Sequence, residues 1–240
     1  MNIIVTGGSS GLGKAIVKQM TSGSDTVYFT YRSHEDEAKK IGLENANAHA
    51  YYCDFENEVS VGEFINRIEE INPDVLINNA YGGYTTGDYF YRTPIDDFEK
   101  AFKCNVLPMI RITQSVIKIF RKKRSGKIIT ILSSAIVGTP PMGYSVYAAT
   151  KAYIAQLVKQ WSKEYIQYGI TSNAISPDFM KTELTKDTNE IVIEQLIDQS
   201  PLKKVLTVNE VAELVSKLIN TSNYLNGVNI PVNAGTNIIF

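Results

Sequence analysis

Seven short apolar runs punctuate this chain, at 3–6, 26–31, 48–53, 75–78, 127–132, 171–175 and 228–232. Three of them, at 3–6, 75–78 and 127–132, are near-continuous stretches of Val, Ile and Leu rather than an alternation of apolar and polar positions, which is the signature of strands buried on both faces. Between them lie segments with helical periodicity, at 13–20, 35–42, 59–71, 98–121, 147–168 and 210–220. Strands alternating with amphipathic helices predict an α/β architecture, a parallel sheet of about seven strands covered by helices on both faces. Right-handed crossovers make that sheet doubly wound. No repeat, linker or break in composition divides the chain, so a single domain over 1–240 is expected. Two stretches interrupt the alternation, 81–94 and 178–201. Long irregular connections in a compact domain are usually functional, and the second reads as a lid over a substrate site.

Two motifs carry chemistry. The first strand leads into a helix through Thr6-Gly7-Gly8-Ser9-Ser10-Gly11-Leu12-Gly13. Glycines there permit a tight turn and bring backbone N–H groups close to a phosphate at the positive helix end. Gly7, Ser9, Ser10, Gly11, Leu12 and Gly13 are therefore candidate contacts to a dinucleotide. Farther along, Tyr147 and Lys151 stand four residues apart in a helical segment and share a face. An ammonium beside a phenol favours the ionised form, so the Tyr147 pKa is expected to fall from about 10 toward neutrality. Such a group exchanges a proton with an alcohol or carbonyl oxygen.

Composition narrows the partners. Basic and acidic residues number 24 and 25, for a net charge of −1, which gives no electrostatic basis for binding nucleic acid or a membrane surface. No apolar run approaches the ~20 residues of a membrane span, and Met1-Asn2-Ile3-Ile4-Val5 does not begin a signal peptide. A cytoplasmic protein is expected. Cys53 and Cys104 have neither metal nor disulfide spacing and read as reduced, buried thiols; His34 and His49 have no partner pattern.

Taken together, Thr6-Gly-x-x-x-Gly11-x-Gly13, Asn78-Asn79-Ala80, Ser134 and Tyr147-x-x-x-Lys151 resemble the short-chain dehydrogenase/reductase family. The likeness runs from Met1 almost to Phe240. It implies a Rossmann fold, an NAD(P)(H) cofactor, hydride transfer at a carbonyl carbon, and commonly a homotetramer or dimer. By this resemblance Tyr147 is the acid that protonates the carbonyl oxygen, while Lys151 lowers the tyrosine pKa and holds the nicotinamide ribose. Ser134, thirteen residues before Tyr147, would donate to the substrate oxygen, with Ser133 the adjacent competitor. Asn105 matches a helix asparagine that holds a water linking the lysine to solvent. Asn79 and Ala80 lie beside the cofactor, Asn78 and Asn79 mainly tying strands together. Pro177, Phe179 and Thr182 match the segment that meets the nicotinamide carboxamide.

The second predicted strand ends in Thr30-Tyr31-Arg32-Ser33, without a carboxylate. Arg32 and Ser33 suit a 2′-phosphate, so NADP(H) is expected over NAD(H), which stays open. Asp54 matches an acid that contacts the adenine amino group, with Phe55 beside the ring; its alternative role is an acid at a helix start. Two departures stand out: Tyr81 where the family usually has Gly, and Asp178 where it often has Gly. Tyr81, Tyr84, Tyr89, Phe90 and Tyr91 are expected at the mouth of the site or at a subunit interface, and 140–144 nearby. The basic run 121–124 reads as a complement to a helix C-terminus.

The expected activity is NADP(H)-dependent reduction of a small-molecule carbonyl or the reverse oxidation of an alcohol, with 3-oxoacyl thioesters among the substrates considered. The alternative is a non-catalytic nicotinamide-binding sensor or scaffold. An extended sugar-nucleotide epimerase or dehydratase fits less well, because no second substrate domain follows.

Overall fold

The structure, a computed structural model, describes residues 1–83 and 87–237. Strand β1 (Asn2–Val5) lies inside the sheet, with Ile3, Ile4 and Val5 fully buried. Helix α1 (Gly11–Thr21) returns the chain to β2 (Thr26–Tyr31), and α2 (Glu35–Glu44) leads to β3 (Ala48–Tyr52). Helix α3 (Glu58–Ile71) crosses to β4 (Val75–Asn78) on the other side of β1. Then follow α4 (Ile95–Ala101), α5 (Leu107–Lys123), β5 (Gly126–Ile131), α6 (Ser145–Tyr165), β6 (Ile170–Pro177), α7 (Glu190–Gln199), α8 (Val208–Ile219) and β7 (Asn229–Val232). The strands form one parallel sheet in the order β3-β2-β1-β4-β5-β6-β7. The seven-stranded, doubly wound α/β sheet expected from the apolar pattern is present.

Each face of the sheet carries its own core. On one, Ile16 and Val17 of α1 and Val211, Val215 and Leu218 of α8 pack over Ile3, Val5, Val27 and Ile77. On the other, Phe64 and Ile68 of α3, Ile112, Val116 and Phe120 of α5 and Val158 of α6 cover Ile4, Leu76 and Ile128. Alternate side chains of β1 thus enter opposite cores, which is why Ile3, Ile4 and Val5 are all apolar.

Three local expectations change. The helix expected at 98–121 begins earlier, as α4, and passes through one π-helical turn, Phe102–Val106, before α5. The expected helix 147–168 begins at Ser145 and tightens into a final 3₁₀ turn after Tyr165. The stretch 178–201, read as irregular, contains α7, started by Asn189, whose side chain accepts the Ile191 N–H at 2.8 Å. Only Ile193 of α7 is buried, so its apolar stripe is too narrow to announce a helix in the sequence.

Candidate active site

The strands all point their C-terminal ends to one edge, and at that edge β1 and β4 diverge to opposite sides of the connection pattern. Ligands of doubly wound sheets bind at such a switch point. Thr6 knots it together: its hydroxyl accepts the Asn79 and Ala80 N–H groups at 3.0 and 3.1 Å. Asn79 Nδ2 donates to the Thr6 and Gly7 carbonyls at 3.0 and 3.1 Å, the strand-tying role expected of it. Gly7 turns the chain at φ +68°, and a Cβ on Gly13 would stand 1.9 Å from the Gly7 oxygen. The loop can close only on a bare helix start. Ser10, the N-cap of α1, makes no side-chain cap bond, and no acid lies in the first turn. The leading N–H groups of α1 thus lack a side-chain acceptor, and the helix end keeps its positive field. This cradle fits the pyrophosphate of a dinucleotide.

A cavity of about 1520 Å³ runs from the cradle to Tyr147 and Lys151. At its adenosine end stand Arg32 and Ser33. The Arg32 guanidinium is held 3.2 Å from Glu56, both side chains being nearly half exposed. Ser33 lies 3.3 Å from the His34 ring nitrogen. Phe55 lines the wall together with Cys53, whose thiol burial pushes up to about 12. Asp54, expected to read adenine, is absent from that wall; its Oδ1 instead accepts the Glu56 N–H at 3.0 Å, in a local turn. The alternative reading of Asp54, as an acid near a helix start, fits this placement better. Thr182 closes over the cradle, its Cβ 3.3 Å from where a Gly11 Cβ would be.

At the other end Tyr147 and Lys151 share one face of α6, the ammonium lying beside the tyrosine ring and not bonded to its hydroxyl. Lys151 is buried, its Nζ donating to the Ile131 carbonyl at 2.9 Å and lying 5.8 Å from the Tyr147 ring centroid. Burial lowers the ammonium pKa to about 8. Tyr147 moves opposite to expectation: burial raises its pKa, and hydrogen bonding with Ser133 opposes only part of the rise. The lysine is too far and too committed to Ile131 to offset the loss of water.

The two candidate serines take different partners. Leu132 N–H donates the last sheet-side bond to Ile175 at 2.7 Å, and Ser133 then leaves the sheet toward Tyr147. Ser134, the residue expected to meet substrate, donates instead to Asp178 Oδ1 at 3.0 Å. Counting back thirteen residues from Tyr147 selects Ser134; counting forward from the end of β5 selects Ser133. Asp178 Oδ1 also takes the Phe179 N–H at 2.9 Å, so that donor, expected to serve the cofactor, is occupied. Pro177, Phe179 and Thr182 nevertheless all line the cavity.

Asn105 sits in the π turn, fully engaged: Nδ2 donates to Ala101 O at 3.0 Å and Oδ1 accepts the Gly82 N–H at 2.6 Å. Among the described residues it braces the 81–83 loop rather than touching Lys151. The aromatic loop divides. Tyr81 enters the cavity, whereas Tyr89, Phe90 and Tyr91 are exposed elsewhere and line none of it. Tyr84 lies outside the described residues. Pro141 and Tyr144 line the cavity from the 140–144 segment. In the basic run, Lys123 pairs with Asp74 and Arg121 covers the Tyr168 ring at 4.8 Å, both local structural uses.

A phosphate cradle continuous with a tyrosine, a serine and a buried lysine defines a nicotinamide-dependent oxidoreductase. A family profile described as short chain dehydrogenase matches residues 1–192, and the chain belongs to that family. The 3-oxoacyl-(acyl-carrier-protein) reductase FabG of Aquifex aeolicus is 32% identical over 243 residues, 97% of this chain and 95% of that protein. FabG of Rickettsia prowazekii is also 32% identical, over 97% of this chain and 95% of its own length. Among solved structures, a 3-ketoacyl-(acyl-carrier-protein) reductase from Brucella melitensis complexed with NADH has a TM-score of 0.89 at 22% identity, covering 98% of both chains. The RhlG/NADP complex of Pseudomonas aeruginosa has a TM-score of 0.88 at 24% identity, covering 98% of this chain and 96% of its own. These two share the fold. The chain is an NAD(P)(H)-dependent reductase of the short-chain type.

Proposed function

We propose that this protein reduces the ketone of a small molecule with NADPH, using Tyr147 as proton donor, Ser133 as oxyanion donor and Lys151 to hold the ribose. The observation that carries this is one continuous cavity, with an uncapped helix start at one end and these three side chains at the other. A bound nicotinamide supplies the hydride. Negative charge then grows on the carbonyl oxygen, where the Tyr147 and Ser133 hydroxyls stabilise it and Tyr147 gives up its proton. Burial keeps the phenol protonated until that charge appears. The FabG relatives support 3-oxoacyl thioesters as a substrate class. Following NADPH absorbance against ketones, oxoacyl thioesters and keto sugars tests the reading; tight NADPH binding without turnover of any carbonyl would defeat it.

Two variants separate the serines. Ser133→Ala should lower kcat about 100-fold, the usual cost of an oxyanion donor. Ser134→Ala should lower kcat only a few-fold, because Ser134 positions Asp178. The reverse order would restore Ser134 as the donor.

The NADP(H) preference rests on Arg32 and Ser33. Arg32→Ala should weaken NADPH binding about tenfold or more, as expected for losing a charge-assisted bond to phosphate, and leave NADH nearly unchanged. Glu56→Gln, which frees Arg32, should tighten NADPH and not NADH. Equal effects on both nucleotides, measured by fluorescence titration, would remove Arg32 from the phosphate site.

Among the described residues no helix is long and apolar enough to cross a membrane. A cytoplasmic homo-oligomer, dimer or tetramer, completes the reading. The exposed rings of Phe90 and Tyr91 with Ile95 favour a subunit contact over a substrate mouth, testable by light scattering of Phe90→Asp.

A further inference from the structure

The Tyr81 ring lies against both members of the catalytic pair. Lys151 Nζ is 4.9 Å from its centroid, closer than to the ring of Tyr147, and the Tyr81 and Tyr147 rings meet edge to face at 5.2 Å. An ammonium this close to a ring face is attracted by its quadrupole. Among the described residues no carboxylate pairs with Lys151, so the Ile131 carbonyl, this ring and, farther off, the Tyr147 ring are the ammonium's contacts. The Tyr81 hydroxyl is buried beside the Thr150 hydroxyl, whose own proton goes to the Val146 carbonyl at 2.8 Å. The contacts that reach the catalytic pair are those of the ring.

The backbone around Tyr81 is pinned on both sides. Ala80 N–H is bonded to Thr6 at 3.1 Å and Gly82 N–H to Asn105 at 2.6 Å. The side chain can swing about its own torsions while the loop stays in place.

We infer that Tyr81 is a positioning residue: its ring holds the Lys151 ammonium in the cofactor-free protein and yields it to the ribose when a nicotinamide nucleotide binds. The inference rests on the proposed ribose role of Lys151. It explains why a family position usually occupied by glycine carries a large ring here without closing the cavity. The ring also screens the pair from water. Besides Tyr81, the groups facing Tyr147 are Ser133 and Tyr144 (ring centroids 6.4 Å apart), with Asp178 reached through Ser134.

Nucleotide binding without substrate tests this. Tyr81→Ala should bind NADPH about threefold to tenfold more tightly, the worth of releasing one cation–π contact. Tyr81→Phe keeps the ring and should stay within about twofold of wild type. Adenosine 2′-phosphate 5′-diphosphate, which lacks the nicotinamide ribose, should bind all three proteins alike. Unchanged or weaker NADPH binding by Tyr81→Ala would overturn the inference, as would an equal gain for the fragment. Melting curves check folding, and Tyr81→Gly repeats the test with the family's usual residue. None of these readouts needs turnover, so the inference and the carbonyl-reductase reading can fail separately.

Discussion

Tyr147→Phe is expected to lower kcat by about 10²–10⁴, the range a positioned general acid contributes. The substitution removes one oxygen and leaves the ring contacts to Tyr81 and Tyr144 in place, so folding and NADPH affinity should change little. Stopped-flow oxidation of NADPH by the best ketone, beside an equilibrium Kd, separates the two effects. A variant within tenfold of wild type would mean that the proton comes from elsewhere. The pH dependence adds a second reading. Tyr147 is held protonated by burial, so it does not set the alkaline limit. Lys151 does: its pKa is lowered to about 8, so its positive charge is present below that pH and is lost as pH rises through it. Accordingly, kcat/KM for NADPH should decline above about pH 8 in both wild type and Tyr147→Phe. A break that vanished with the phenol would belong to Tyr147 instead.

Gly13→Ala is expected to damage the cofactor site and the fold together. The added Cβ would lie 1.9 Å from the Gly7 carbonyl oxygen and 2.6 Å from Asn79 Nδ2, and both are held by the Thr6–Asn79 knot. Neither neighbour is a flexible side-chain end that can simply turn away. The helix start must shift, costing about 1–3 kcal/mol or more. For a chain of this size that is a fall in Tm of roughly 2–12 °C. Dinucleotide affinity should drop by at least tenfold, since the displaced N–H groups are those facing the pyrophosphate. Calorimetry with and without NADPH reads both. Gly62→Ala is the control, because nothing lies within 4 Å of its added carbon. Equal behaviour of the two variants would show that the cradle tolerates a side chain at Gly13.

Much of this site could be read in the linear chain because its parts are local. The Gly7–Gly13 cradle is a strand end, a turn and a helix start in succession, so its geometry follows from residue types and spacing alone. Tyr147 and Lys151 share a face because one helix turn joins them. The placements that spacing did not anticipate share a different cause. Ser133 and Ser134 differ only in which leaves β5 toward α6, and the ladder bond of Leu132 to Ile175 on β6 decides it. Asp54 turned out to serve a local turn, and Phe179 gave its N–H to Asp178, outcomes set by contacts a spacing rule does not contain.

What the sequence determined by itself is the parallel doubly wound sheet, the glycine turn into α1 and the shared face of Tyr147 and Lys151 on α6, since each depends on periodicity or on neighbours within about one helical turn. What only the tertiary structure decided is how these parts meet. Burial raises Tyr147 and lowers Lys151, and the Tyr81 ring, from another connection, lies against both. Those effects arise from groups brought together across the sheet edge, where distance in space and exclusion of water, rather than order along the chain, set the energies.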